Sequence, residues 1–263
     1  MNNAAEPSQP AALAPRFAVL MTATVDPSAF ADSLQRSDPA IRLADYQKAL
    51  RFWDRIDDAR IGAVVFCENA GADLEPLRRV ATQTKRAVEL IGFDGNIRPR
   101  GVHYGYSELG IIDHALHSSA LLGRFSHFIK ATGRLTFPGV GRLLDQLPAQ
   151  FDAAVDHRRR YRGETGFALR ARTPLMVFSR DFYMQKLRGR RDDMIGRYPT
   201  LEEFIAVTLD AEAEDARLIR RFAAECPPSG VDAFQNKDFN SPSLALKNMA
   251  RALLRRALPG VWL

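Results

Sequence analysis

Four short segments gather the residue types that bind and transfer anionic groups. Glu68-Asn69-Ala70-Gly71-Ala72-Asp73-Leu74 sits where an apolar run gives way to a helical pattern. Its Asn and Asp side chains suit either a capped turn or hydrogen bonds to a ribose or base. His103-Tyr104-Gly105-Tyr106-Ser107-Glu108 opens a second helical pattern. Backbone N–H groups at a helix start attract anions such as a diphosphate. Glu108, in the first turn, reads as a dipole-favoured carboxylate or as a general base beside a phosphate site. Phe128-Ile129-Lys130-Ala131-Thr132-Gly133-Arg134 places two cations, a hydroxyl and a glycine around a strand end. Lys and Arg neutralise phosphate, and Arg does so with a bidentate fork. Asp152 and Asp156 lie four residues apart before His157-Arg158-Arg159-Arg160. On a strand they would share a face and serve as a base or as weak metal ligands. The arginine clusters at 158–160 and 188–191 read as solvated loops or as contacts to phosphate or anionic lipid.

Other chemistries lack their signatures. There is no G-x-G-x-x-G, Walker A, H-E-x-x-H or G-x-S-x-G segment. No D-x-D or C-x-x-C spacing points to a metal, so no metal ligand is assigned and divalent-metal dependence stays open. Cys67 and Cys226 are far apart, which argues against a disulfide framework and for a reducing compartment. The net charge of +6 suits an anionic partner without choosing it. Nucleic acid is disfavoured because the basic residues are dispersed, with no aromatic-interleaved motif.

These segments need a scaffold that brings strand ends together. Phe17–Val25, Ile61–Phe66, Ala87–Phe93 and Phe125–Ala131 read as strands. Helical periodicity covers 45–56, 74–86 (with Asp73 as N-cap) and 107–122. Such alternation predicts an α/β domain with a mainly parallel sheet flanked by helices. Ligand loops then fall at the carboxyl ends of the strands, where Thr22, Thr24, Glu68, Asn69 and residues 130–134 lie. Further on, 151–155 and 175–178 read as short strands. Residues 180–187 and 201–209 read as helices, and 211–225 as a continuing charged helix. Residues 1–15 read as a disordered leader without signal-peptide features, and 16–226 as the main α/β domain. Residues 227–243 read as a Pro/Gly-rich loop or linker before a basic amphipathic helix over 243–258. That helix suits packing on the domain or in-plane docking on anionic lipid, with Trp262 as an interfacial anchor. No stretch approaches 18 consecutive apolar residues, so the expectation is a cytoplasmic protein, peripheral to the inner membrane face at most.

The ordered set Val65–Leu74, Gly105–Glu108 and Phe128–Arg134, with Arg42–Tyr46 and Leu50–Trp53 upstream, resembles a family of bacterial glycosyltransferases. These act in surface-polysaccharide (O-antigen or capsule) synthesis and carry E-N-S-G-x-D-L-, G-Y-G-E- and F-I-K-x-T-G-R-like segments. The resemblance spans about residues 17–190. It implies a GT-A-like (Rossmann-like) fold with a helical C-terminal extension. It also implies sugar transfer from a nucleoside-diphosphate donor to a glycan or lipid-linked acceptor. Thr24, Glu68, Asn69 and Asp73 would then lie near the nucleotide. Tyr104, Gly105, Tyr106, Lys130, Thr132, Gly133 and Arg134 would surround the diphosphate or sugar. Glu108 would be the catalytic carboxylate, with Asp152 or Asp156 behind it. Tyr104 stands where the family has Lys, Ser107 where it has Gly, Ala70 where it has Ser, and Leu135 where it has an aromatic residue. The loss of one phosphate cation at Tyr104 keeps open a non-catalytic nucleotide-sugar or glycan-binding module of the same fold.

Overall fold

The computed structural model describes residues 16–28, 34–161 and 167–258. The leader and Trp262 lie outside them. Strands β1 (Phe17–Ala23), β2 (Ile61–Glu68), β3 (Ala87–Gly92) and β4 (His127–Thr132) alternate with helices α1 (Pro39–Arg55), α2 (Glu75–Ala81) and α3 (Gly105–Ser118). Next come α4 (Val140–Leu144), β5 (Ala153–Ala154), β6 (His157–Tyr161), β7 (Phe167–Ala171) and β8 (Leu175–Ser179). The chain closes with α5 (Arg180–Lys186), α6 (Leu201–Ala211), β9 (Leu218–Ile219) and α7 (Pro242–Ala257).

Seven strands form one sheet in the order β3-β2-β1-β4-β8-β5-β9. The first four are mutually parallel, β8 runs antiparallel to β4 and β5, and β9 is parallel to β5. The expected α/β class, a mainly parallel sheet flanked by helices with a helix at the C-terminal side, is the architecture observed. Its cause is visible in β1. Phe17, Val19 and Met21 enter the core under α1, α2 and α4, while Ala18 and Leu20 enter the core under α3, α5 and α6. A strand covered on both faces is apolar throughout rather than alternating.

Helix α1 begins six residues before the expected Asp45. Asp38 caps it by accepting from the Ala40 and Ile41 N–H groups at 2.8 and 3.0 Å, and Pro39 opens it. Apolar periodicity hides this first stretch because one of its buried residues is Arg42. Helix α2 is shorter than expected, and Asp73 is not its N-cap residue, although its carboxylate accepts from the Glu75 N–H at 2.8 Å. The expected helix over 211–225 is overturned. Residues 217–220 instead run extended beside β5, where Arg217, Ile219 and Arg220 carbonyls accept from Asp152, Val155 and His157. A helix there would forfeit that ladder. Residues 158–160, expected as a solvated loop, belong to β6, which pairs with β7 in an antiparallel hairpin.

Candidate functional site

A cleft of about 270 Å³ opens at the carboxyl ends of β1 and β4. The first turns of α3 and α6 and the segment 231–239 form its other walls. Of the residues expected in the donor site, Thr24, Tyr104, Thr132 and Arg134 line it, together with Glu108.

The β1 end is held rigidly. The Thr24 carbonyl accepts two N–H groups of Arg42, at 2.6 and 2.8 Å, and the Tyr46 hydroxyl at 3.1 Å. The Thr24 hydroxyl donates to Asn69 Oδ1 at 2.7 Å. Asn69 therefore reaches the cleft through Thr24, since it is fully buried and not part of the lining. Glu68 is fully buried too. Its carboxylate accepts the N–H groups of Val25, Ala70 and Ala72 at 2.8, 3.0 and 3.1 Å. It shapes the two strand-end loops and presents no oxygen to the cleft. Gly71, at φ +66°, completes this turn in a conformation side chains rarely adopt. Asp73 is an exposed residue at the start of α2.

The β4 end approaches β1 so closely that only glycine fits between them. A Cβ on Gly133 would stand 2.7 Å from the Thr22 carbonyl oxygen. Lys130 is wholly buried three residues earlier in β4, away from the lining. Its ammonium donates to the Thr173 carbonyl at 2.7 Å and forms an ion pair with Glu108 Oε1. Thr22 donates to the same Glu108 oxygen at 3.1 Å. Lys130 is thus a clamp on Glu108 rather than a cation open to a diphosphate. Among the described residues, Glu108 Oε2 accepts no hydrogen bond and is the oxygen left for a ligand. Arg134 donates to the Val231 carbonyl at 3.1 Å, and no carboxylate lies within ion-pair distance of it among the described residues. Burial pushes its pKa below the usual guanidinium range, assisted by Arg42 and Arg36 and opposed by Tyr46 and Asp45.

The start of α3 differs from the expected anion site. The N–H of Gly105 donates to His103 Nδ1 at 3.1 Å, that of Tyr106 to the His103 carbonyl at 3.0 Å, and those of Ser107 and Glu108 to the Tyr104 carbonyl. These first-turn donors are consumed internally. Gly105 is required for packing, because a Cβ would lie 2.4 Å from that of Leu201 on α6. Tyr106 points the other way, donating to Asp192 at 2.8 Å under the guanidinium of Arg191. Ser107 lines the cleft, and its buried hydroxyl has no partner among the described residues.

Asp152 and Asp156, the reserve catalytic carboxylates, do not reach the cleft. Asp152 pairs with Arg217. Asp156 is buried against Arg255 at 2.7 Å and Arg158 at 3.2 Å. Their spacing signalled a shared face, but β5 is only two residues long and neither aspartate belongs to it.

The sequence reading missed several cleft residues. Glu202, in the first turn of α6, accepts from Thr173 Oγ1 at 3.4 Å and pairs with Arg170 at 3.5 Å. The Thr200-x-x-Glu203 capping pattern could have marked that helix start, since Thr200 Oγ1 accepts the Glu203 N–H at 3.3 Å. Arg42, Tyr46, Asn96, Arg98, Asp232 and Phe234 also line the cleft. Segment 231–239 had read as linker. It is tied back by paired hydrogen bonds between Thr136 and Ser229. His103 accepts from Gly105 and Leu201 through one nitrogen. Burial lowers its pKa, while Glu202 and Glu108 oppose that shift. No group of three or more His, Cys, Asp or Glu is placed to hold a metal among the described residues. No helix is long and apolar enough to cross a membrane among them either.

No protein-family model matches the sequence, and no curated protein matches it. Among solved structures, the chain resembles core-mannan synthase A of Aspergillus fumigatus in its Mn/GDP form. The identity is 9%, the match covers 97% of this chain and 87% of that one, and the TM-score is 0.52. It also resembles a protein assigned as a nucleotide-diphospho-sugar transferase from Desulfovibrio desulfuricans (14% identity, 91% and 97% covered, TM-score 0.45). A third is a 4-diphosphocytidyl-2C-methyl-D-erythritol synthase (13%, 92% and 99%, TM-score 0.46). The first similarity, with the strand order, establishes a GT-A-like α/β fold; at this identity the likeness concerns fold alone.

Proposed function

We propose that the protein is a glycosyltransferase that moves a sugar from a nucleoside-diphosphate donor to a glycan or lipid-linked acceptor. The resemblance of its ordered motifs supports a role in bacterial surface-polysaccharide synthesis, carried out in the cytoplasm. The observation that carries the reading is Arg134, a cation without a carboxylate partner among the described residues, at the wall of a cleft above the carboxyl ends of a parallel sheet. Such a charge is stabilised when an anion fills the cleft, and a diphosphate fits its fork.

In this reading the diphosphate lies against Arg134 and the hydroxyls of Thr132 and Ser107. The acceptor hydroxyl attacks the anomeric carbon, and the carbon–oxygen bond to the diphosphate breaks with its electron pair leaving on the phosphate oxygen. Arg134 stabilises that charge. Glu108 takes the acceptor proton on Oε2 while Lys130 and Thr22 hold Oε1 in place.

A second reading, a non-catalytic binding module, draws on Tyr104. A phenol packed between His103 and Phe234, with ring centroids 3.9 and 4.9 Å away, lines the cleft where the family pattern carries Lys. One experiment separates the two. A thermal-shift and calorimetric screen against nucleoside diphosphates and their sugars finds the donor, because a ligand bound to the native state raises the melting temperature. Donor turnover in the presence of acceptor glycans then identifies the enzyme. Binding without turnover by any donor favours the module, and absence of binding by all nucleotides and nucleotide sugars refutes the transferase and the nucleotide-sugar form of the module.

A further inference from the structure

Helix α7 is attached to the domain by its charged side. Arg255 is its one buried residue, and its guanidinium meets Asp156 at 2.7 and 2.8 Å and Glu225 at 2.9 Å. The opposite side is apolar and faces outward. Of the nine large apolar side chains exposed among the described residues, five lie between 246 and 258. Leu246, Met249 and Leu253 are 69%, 65% and 67% exposed. At 100° per residue these three share one stripe, and Arg255 lies about 150° from its centre. Lys247 and Arg256, both exposed, lie on opposite sides of the stripe, about 130° and 50° from its centre, and α7 contains no acidic residue.

We propose that this face of α7 docks in the plane of an anionic lipid bilayer. An apolar stripe with an exposed cation on either side matches the chemistry of an interface, where leucines enter the acyl region and Lys and Arg reach the headgroup phosphates. The same charge opposes pairing of the face with a second copy of itself, since each copy brings cations and no carboxylate. The helix is about 24 Å long, which suits lying along a surface. It also starts three residues after Phe239, which lines the cleft, so the bilayer would lie next to the cleft wall built by 231–239. With the transferase reading, on which this clause rests, the docked protein takes a lipid-linked acceptor directly from the membrane.

Co-sedimentation of the full chain with phosphatidylglycerol–phosphatidylcholine vesicles tests the docking without any nucleotide, so its result is separate from that of the donor screen. The wild type is expected to sediment with anionic vesicles and weakly with phosphatidylcholine alone. Leu246→Glu with Leu253→Glu is expected to lower the partition coefficient at least about tenfold, as two buried leucines are lost from the interface. Lys247→Ser with Arg256→Ser is expected to lower it about fivefold per cation and to remove most of its salt dependence. Both leucines are exposed, so an unchanged melting temperature verifies that the variants fold. No association of wild type with anionic vesicles overturns the proposal, as does undiminished association of the double-Glu variant. A concentration-dependent dimer that the double-Glu variant abolishes overturns it in favour of a second copy.

Discussion

The ammonium of Lys130 and the carboxylate of Glu108 form an ion pair in which the lysine is wholly buried and the glutamate edges the cleft. Each is the other's condition for being there. Breaking such a pair by removing one partner leaves an uncompensated buried charge and costs about 3–5 kcal/mol, whereas removing both costs less than the sum. Lys130→Met and Glu108→Gln are each expected to destabilise markedly in urea unfolding, and the double variant by less than the two combined. Additive losses would show that the pair is not coupled.

In the folded fraction, Glu108→Gln is expected to retain donor affinity within about threefold while transfer falls by 10² or more, the range of a lost general base. Arg134→Ala is expected to do the reverse, weakening donor binding about tenfold or more. Calorimetry and a turnover assay on the same preparations distinguish the two. Equal losses of affinity in both variants would contradict the division of roles.

Gly133→Ala forces a Cβ to 2.7 Å from the Thr22 carbonyl, a backbone atom that cannot swing aside. Overpacking at such a site costs about 1–3 kcal/mol, and the shift would move Thr132 and Arg134 with the strand end. Expected together are a lower melting temperature and weaker donor binding. A variant with wild-type stability would mean that β1 and β4 separate without cost.

Glu68→Gln keeps the shape of a side chain that accepts three backbone N–H groups but turns an amide donor toward some of them. Loss of charge-assisted acceptance at a buried site costs about 1–3 kcal/mol. Faster hydrogen exchange at Val25, Ala70 and Ala72 is expected, with β3 and α6 unaffected. Unchanged exchange at those three amides would remove Glu68 from its organising role.

Acid stability gives a fifth handle. Burial pushes the pKa of His157 down to about 4 from 6.5. The unfolded chain therefore binds a proton that the folded chain refuses, so this contribution is complete above pH 6.5 and lost as pH falls toward 4. His103 and His127 are shifted the same way by burial and add to the loss. A His157→Asn variant is expected to be less stable at pH 7.5 but to lose less stability between pH 6.5 and 4. A slope identical to wild type in urea titrations across that window would refute the assignment.

The strand ends carried the legible part of the site. Thr24, Glu108, Thr132 and Arg134 were readable because an α/β pattern places loops after strands at one edge, and polar residues there have few structural alternatives. Glu202, Phe234 and Asp232 were not readable, since nothing in α6 or in the Pro/Gly-rich 227–243 stretch indicates which strand end it will cover. The charged residues at 211–225 misled for a related reason. Pairing with a two-residue strand leaves almost no period to detect.

The amino-acid sequence by itself determined the layered α/β class, the cleft's position at the carboxyl edge and the amphipathic character of the last helix, because these follow from local periodicity. Only the tertiary structure decided which charges face a ligand and which face each other. Lys130 was turned to Glu108, and Asp156 to Arg255, 99 residues away. Thr22 and Glu108 meet across 86 residues. Contacts at such separations depend on strand order, which spacing along the chain does not encode. The same long-range ion pairs hold α7 by its polar side and leave its leucines facing outward.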